Sequence, residues 1–129
     1  MIYLDTSVAI AHLLAEDRSP STALWRQPLV ASRLLEYELW NRINARGLTS
    51  SHDEATRDLL GRVALLELAR PVLARALDPF PVSVRTLDAL HLASIEFLRA
   101  QGQKIELATY DERLAAAAKK MKIPLSTLV

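Results

Sequence analysis

Four carboxylates in this sequence could share one divalent cation, because each falls just beyond a predicted strand or near the start of a predicted helix. They are Asp5, Glu38, Asp88 and Asp111. In a parallel sheet the carboxyl ends of the strands meet at one edge, where ligands bind. The sequence therefore predicts an acidic pocket at that edge.

Such a pocket needs a counter-charge, because neighbouring carboxylates raise one another's pKa and are costly to bury together. No Lys or Arg lies within two residues of Asp5 to supply it. Ligands that are all oxygen suit Mg²⁺ or Mn²⁺ better than Zn²⁺. A site of this kind can activate water and stabilise the charge that builds on a phosphodiester during in-line displacement.

Each acid also has a purely structural interpretation. Asp5 and Asp111 are good helix N-caps, Asp88 could complement a helix dipole, and Glu38 could be a solvated helix residue. Glu36 competes with Glu38, because two residues apart on a helix they point to nearly opposite sides. Periodicity alone does not decide between these structural roles and a metal site, or between Glu36 and Glu38.

The histidines, glycines and serines of the sequence bear on other kinds of catalytic and binding site. His91 stands three residues after Asp88 and could join it on a metal, but a lone histidine in an apolar helix stripe is interpreted as a packing residue. The sequence has no His-Glu-x-x-His run, which excludes a zinc protease of that type. Its three glycines cannot form a phosphate-binding loop, and no serine lies in a nucleophile elbow.

The elements that must place the acids alternate between short strands and longer helices. Strands are predicted at residues 2–4, 28–31 and 105–109, with an ambiguous run at 65–68 and a candidate last strand at 125–129. Helices are predicted at residues 8–14, 20–25, 32–46, 51–61 (with Asp53 as the alternative start), 71–77, 86–100 and 111–121, with Ser19-Pro20, Ser32, Thr86 and Asp111 among their start signals. This alternation predicts one α/β domain over residues 1–129, a short and mainly parallel sheet flanked by helices.

The composition excludes several other classes of protein. Sixteen Lys and Arg against 15 Asp and Glu give a net charge of +1, which argues against a mass binder of nucleic acid but permits a local basic surface. The absence of cysteine excludes disulfide scaffolds and thiolate metal sites. We see no membrane-spanning run and no signal peptide, so we expect a soluble, cytoplasmic protein that does not associate with membranes.

Four segments, in their order and spacing, resemble those of PIN-domain ribonucleases, most closely the VapC toxins of bacterial toxin–antitoxin pairs. The third and fourth are the more specific; the segments are Ile2-Tyr3-Leu4-Asp5-Thr6-Ser7, Ser32-Arg33-Leu34-Leu35-Glu36-Tyr37-Glu38-Leu39, Arg85-Thr86-Leu87-Asp88-Ala89-Leu90-His91-Leu92-Ala93 and Ala108-Thr109-Tyr110-Asp111-Glu112-Arg113-Leu114. Together they span nearly the whole chain.

The resemblance implies which residues form the site. The family's four acids correspond to Asp5, Glu38, Asp88 and Asp111, and the spacing from Ser32 selects Glu38 over Glu36. The last of them, Asp111, is the least uniform ligand in such proteins, so it would hold a metal directly, through water, or not at all. Thr6, with Ser7 as the alternative, and Thr109 resemble the hydroxyl residues that support the acids or hold water.

The resemblance also implies an activity and partners. It implies a Mg²⁺- or Mn²⁺-dependent endoribonuclease in which metal-activated water attacks RNA, a homodimer, and a cognate antitoxin that blocks the site. Structured RNA such as tRNA or ribosomal RNA would be the target. Five arginines near the acids in sequence are candidates for contacts to RNA phosphates: Arg33, Arg42, Arg46, Arg85 and Arg113.

Three alternatives come from other functional classes. A catalytically silent module could keep the same fold and only bind a partner. A receiver-like signalling domain would have paired acids after the first strand, whereas Thr6 and Ser7 follow Asp5 here. A haloacid-dehalogenase-like phosphatase would have a second Asp at the position of Ser7.

Overall fold

The sheet of this protein has four short parallel strands, as described by a computed structural model that covers all 129 residues. They are β1 (Ile2–Leu4), β2 (Leu29–Ser32), β3 (Val63–Leu66) and β4 (Glu106–Ala108). Their order across the sheet is β3-β2-β1-β4, and every neighbouring pair is parallel. The chain therefore runs from β1 to one side of the sheet and returns to the other side for β4. The predicted parallel α/β architecture is confirmed.

Helices cover both faces of this sheet. They are α1 (Thr6–Leu13), α2 (Leu34–Ala45), α3 (Thr49–Gly61), α4 (Arg70–Leu77), α5 (Thr86–Ala100) and α6 (Glu112–Lys120), with a 3-10 helix at Thr22–Arg26. Apolar residues of α1, α2 and α3 form the core on one face, and those of α5 and α6 form the core on the other. None of the helices is long and apolar enough to cross a membrane.

The alternation of side chains along β1 decides which core each residue joins. Ile2 and Leu4 pack in the core with α1, α2 and α3, whereas Tyr3 packs in the core with α5 and α6. This is the two-residue period of a strand that is covered on both faces. The consequence for the site is that the phenol of Tyr3 points into the layer of α5.

Several boundaries differ from the sequence prediction. The segment predicted as a helix from Ser19-Pro20 is a five-residue 3-10 helix capped by Ser21, because the extended Gln27 ends it after one tight turn. Thr86 is the first residue of α5 and not its cap, and the cap position, Arg85, provides no side-chain bond.

The ambiguous and terminal runs also resolve. The run predicted at 65–68 forms the edge strand β3 at Val63–Leu66. The candidate last strand at 125–129 is reduced to one parallel bridge between Leu125 and Leu107. Helix α3 begins at Thr49, before both of its predicted starts, Ser51 and Asp53.

Candidate functional site

The acidic residues lie where the order of the strands reverses, at the carboxyl ends of β1 and β4. Asp5 follows β1, and its backbone N–H donates to the carbonyl of Ala108 at the end of β4, over 3.0 Å. Thr109 and Asp111 continue from that end of β4. In open α/β sheets this crevice is the usual binding place for ligands.

Asp5 is almost fully buried, and three donors hold one of its carboxylate oxygens. Its Oδ2 accepts from the Ser7 hydroxyl at 2.6 Å, from the Thr109 hydroxyl at 2.8 Å and from the Ser7 backbone N–H at 3.3 Å. Asp5 is at the same time the N-cap of α1. The capping interpretation therefore holds, and it occupies only one side of the carboxylate.

Glu38 is held in the same one-sided way. Its Oε1 accepts from the Thr6 hydroxyl at 2.9 Å and lies 2.7 Å from Nε2 of His91. Glu36, the competitor on the same helix, instead faces Arg33 at the surface, 3.6 Å away. The structure therefore brings Glu38, and not Glu36, to the residues around Asp5. Thr6 and Ser7 have different partners: the hydroxyl of Thr6 donates to Glu38, and that of Ser7 donates to Asp5.

Asp88 and Asp111 complete the acidic group from the starts of two helices. Burial raises the pKa of the half-buried Asp88, and the negative charges of Asp111 and Asp5 raise it further. The positive charge of Arg85, and that of His91 when its ring is protonated, oppose that rise. Asp88 thus feels the repulsion expected of a carboxylate placed among others.

Asp111 caps α6 through a single oxygen. Its Oδ1 accepts from the backbone N–H groups of Arg113 and Leu114, at 2.9 and 3.2 Å. The loop before it is tied to Asp5, because Oγ1 of Thr109 both donates to Asp5 and accepts from the N–H of Asp111. One hydroxyl therefore sets the position of two acids.

The carboxylate oxygens have the chemistry of a hard-cation site, but they do not converge on one point. In Asp5, Glu38 and Asp111 all hydrogen bonds fall on one oxygen, and Oδ1, Oε2 and Oδ2 respectively accept none. Anionic oxygens of this kind suit Mg²⁺ or Mn²⁺. No three His, Asp or Glu side chains converge closely enough in this structure to hold an ion.

His91 was interpreted from the sequence as a packing residue, and the structure gives it polar partners on both ring nitrogens. It is buried, with Nδ1 at 2.7 Å from the Tyr3 hydroxyl and Nε2 at 2.7 Å from Glu38. Burial lowers the pKa of His91, but the hydrogen bond and charge of Glu38 outweigh it and leave that pKa above its usual value. The signal available in the sequence was an imidazole within the apolar stripe of α5, which needs a partner when buried.

The candidate RNA-binding arginines are all exposed and are not equivalent. Arg33 is engaged by Glu67 at 2.6 Å and by Glu36. Arg85 precedes α5 and its charge acts on Asp88. The remaining three are exposed and form no ion pair: Arg42, Arg46 and Arg113. Arg85 and Arg113 are the two that stand within three residues of Asp88 and Asp111 in the sequence.

The fold and site define the class of the protein as a three-layer α/β domain with acids at the carboxyl edge of a four-stranded parallel sheet. A family model for the PIN domain matches residues 2–120. The chain belongs to the PIN-domain family, which removes the receiver-like and phosphatase-like alternatives.

Relatives of known name agree with this assignment. Ribonuclease VapC46 of Mycobacterium tuberculosis (strain ATCC 25618 / H37Rv) is 33% identical over 123 residues, which cover 93% of this chain and 92% of that protein. Ribonuclease VapC47 of the same species (strain CDC 1551 / Oshkosh) is 30% identical over 128 residues, with 94% and 92% covered. The resemblance to VapC ribonucleases stated from the sequence is confirmed.

Solved structures support the fold. A toxin–antitoxin complex from Klebsiella pneumoniae matches with a TM-score of 0.67 at 16% identity, covering 100% of this chain and 98% of that chain. VapC20 of M. tuberculosis, described as a sarcin–ricin loop cleaving toxin, matches with a TM-score of 0.69 at 20% identity, covering 91% and 95%.

Proposed function

We propose that this chain is an endoribonuclease, the toxin of a toxin–antitoxin pair, and that it hydrolyses RNA phosphodiester bonds with the help of a divalent cation. The observation that carries the proposal is the arrangement of carboxylates at one sheet edge, where Asp5, Glu38 and Asp111 are each held through one oxygen with the other left open. Relatives named as ribonucleases over nearly the full chain support the activity.

Asp5, Glu38, Asp88 and Asp111 are the residues that would hold Mg²⁺ or Mn²⁺. The cation would activate the attacking water and offset the charge that develops on the phosphodiester. The open oxygens of Asp5 and Glu38 suit them to face it. The pKa of Asp88 is raised first by burial and then by the charges of Asp111 and Asp5, and a cation would relieve that repulsion. Thr6, Ser7 and Thr109 orient the carboxylates by hydrogen bonds to the opposite oxygens.

The protein residues have further tasks that do not depend on the cation. Exposed guanidinium groups, above all those of Arg85 and Arg113, would contact RNA phosphates beside the acids, since arginine contacts phosphate through two parallel donors. A carboxylate of the site would accept a proton from the attacking water. The substrate is RNA, and we expect a structured one.

A cognate antitoxin is the proposed protein partner, supported by the toxin–antitoxin complex that shares this fold. We also propose a homodimer and action in the cytoplasm. The alternative is a silent module that keeps the fold and only binds such a partner. The acids argue for catalysis, because a binding module has no need to keep mutually repelling carboxylates together.

Controlled expression followed by sequencing of newly formed RNA ends tests the proposed function and finds its target. We expect new ends at a small number of sites when the natural chain is expressed, and none with Asp5→Asn. Asp17→Asn, a change at an exposed acid in the loop after α1, is the matched control and should give the same ends as the natural chain. Folded, expressed protein that produces no new ends would favour the silent module.

A further inference from the structure

A buried chain of hydrogen bonds runs through the domain and ends at Glu38. The backbone N–H of Ser32 donates to the Tyr3 hydroxyl at 3.1 Å, and that hydroxyl lies 2.7 Å from Nδ1 of His91. The other ring nitrogen lies 2.7 Å from Oε1 of Glu38. Tyr3 and His91 are 0% and 1% exposed, so water cannot replace these partners.

The donor and acceptor roles along this series of hydrogen bonds follow from its two ends, the N–H of Ser32 and the carboxylate of Glu38. The N–H of Ser32 can only donate, so the Tyr3 oxygen accepts there and its own hydrogen is available for Nδ1 of His91. Burial raises the pKa of the Tyr3 phenol, which keeps that hydrogen in place. The carboxylate of Glu38 can only accept, so Nε2 of His91 carries a proton and donates to it. His91 thus presents a donor, and not a metal-binding lone pair, to the site.

Two donors therefore meet on the same oxygen of Glu38. Thr6, at the start of α1, and His91, on α5, both lie against Oε1, while Oε2 accepts no hydrogen bond. Two donors from different elements fix the plane of a carboxylate more tightly than one. Apolar side chains would fill the same space without requiring buried polar partners. Packing alone therefore does not explain why these hydrogen-bonded residues stand here.

We propose that His91 is a positioning residue for the site. Its Nε2–H, supported by the Tyr3 hydroxyl, holds Oε1 of Glu38 and leaves Oε2 free of hydrogen bonds. This inference rests on the proposed function insofar as Glu38 serves as one of the acids that bind the cation. The role requires a hydrogen-bond donor and does not require His91 to titrate.

Binding of Mn²⁺ to the protein without RNA, measured by calorimetry, tests this role separately from cleavage. His91→Leu removes the donor at similar volume, and we expect it to weaken Mn²⁺ binding by about 10- to 100-fold. His91→Gln restores a neutral donor near the position of Nε2 and should recover most of the affinity. Tyr3→Phe should shift affinity in the same direction as His91→Leu, whereas Tyr37→Phe, at an exposed tyrosine next to Glu38, should change nothing.

Equal Mn²⁺ affinity in folded His91→Leu and in the natural chain would overturn the proposal. If His91→Leu does not fold, the Gln and Phe variants decide, since unaltered affinity in Tyr3→Phe and lost affinity in His91→Gln contradict a donor role. Nuclear magnetic resonance of ¹⁵N-labelled histidine in the metal-free protein gives a second readout. We expect a proton on Nε2 of His91; an unprotonated Nε2 contradicts the inference even if the natural chain binds no Mn²⁺ and the proposed function fails.

Discussion

At the scale of single residues, the acids of this protein combine a structural and a chemical task on opposite oxygens. Asp5 caps α1 and Asp111 caps α6, yet each does so through one oxygen. The two interpretations left open by the sequence, helix cap and cation ligand, are therefore compatible. A carboxylate fixed on one side is also better oriented on the other.

Asp88 is the acid at which removal of the negative charge should most clearly lower activity without lowering stability. Its pKa is raised by burial and by the charges of Asp111 and Asp5, so its ionised form is disfavoured in the folded protein. We expect Asp88→Asn to leave the melting temperature of the metal-free protein unchanged or higher, while RNA cleavage falls by more than the ~10- to 100-fold typical of groups that only orient a ligand.

Thermal unfolding in EDTA, alongside cleavage assays, measures both effects of Asp88→Asn. A large loss of stability would show that Asp88 serves the start of α5 and not the site.

Thr109 joins two acids and is the hydroxyl whose loss should matter most. Thr109→Val keeps the shape but removes the bond to Asp5 and the acceptor for the N–H of Asp111. We expect a ~10- to 100-fold loss of cleavage rate with the fold retained, as is usual when a group that orients a ligand is removed. Thr49→Val, at an exposed threonine of α3, is the control, and equal rates in the two variants would contradict the role of Thr109.

The residue types of the site could be predicted from the sequence, but not all of its bonds. The order of acids after short apolar runs was enough to gather Asp5 and Asp111 at one edge. The contact between His91 and Glu38 spans 53 residues, and only the packing of α5 against the sheet shows it. The sequence also left the roles of Thr6 and Ser7 as alternatives, whereas each supports a different acid.

At the scale of elements, the first residues of helices place the site. The capping role of an acid at such a position can be separated from the role of its charge. Asp111→Ala removes the cap of α6 and should cost about 1 kcal/mol of the free energy of unfolding. Asp111→Asn keeps a capping oxygen and should retain that stability while lowering cleavage through the lost charge. Chemical denaturation and cleavage rates measured on both variants test this. Full activity in Asp111→Asn would mean that Asp111 acts only as a cap.

Elements were predictable where period and cap agree, and less so at their ends. Strands β1, β2 and β4 follow from apolar runs that are buried in the sheet. The edge strand β3 was ambiguous because one neighbour and partial exposure leave it a weak pattern. The start signal at Ser19-Pro20 predicted a full helix, but the segment forms only a 3-10 helix, which the extended Gln27 ends.

At the scale of the whole molecule, the acidic edge should link cation binding to folding stability. A cation that binds only the folded state at 100 times its Kd adds about 2.7 kcal/mol to the free energy of unfolding. We expect a rise of this kind with Mn²⁺ for the natural chain and little or none for Asp5→Asn. Denaturation with and without Mn²⁺ measures it, and an equal rise in both proteins would place the ion elsewhere.

The central claim is that these acids make a cation-dependent RNA hydrolase, and the most direct measurement is the cleavage rate of the purified chain on RNA. The rate would be followed with Mg²⁺ and with EDTA, for the natural chain, Asp5→Asn, Asp88→Asn and the control Asp17→Asn. We predict cleavage by the natural chain and Asp17→Asn with Mg²⁺ alone, and none in EDTA or by the other two variants. Cleavage that persists in EDTA, or in both Asp5→Asn and Asp88→Asn, would contradict the account.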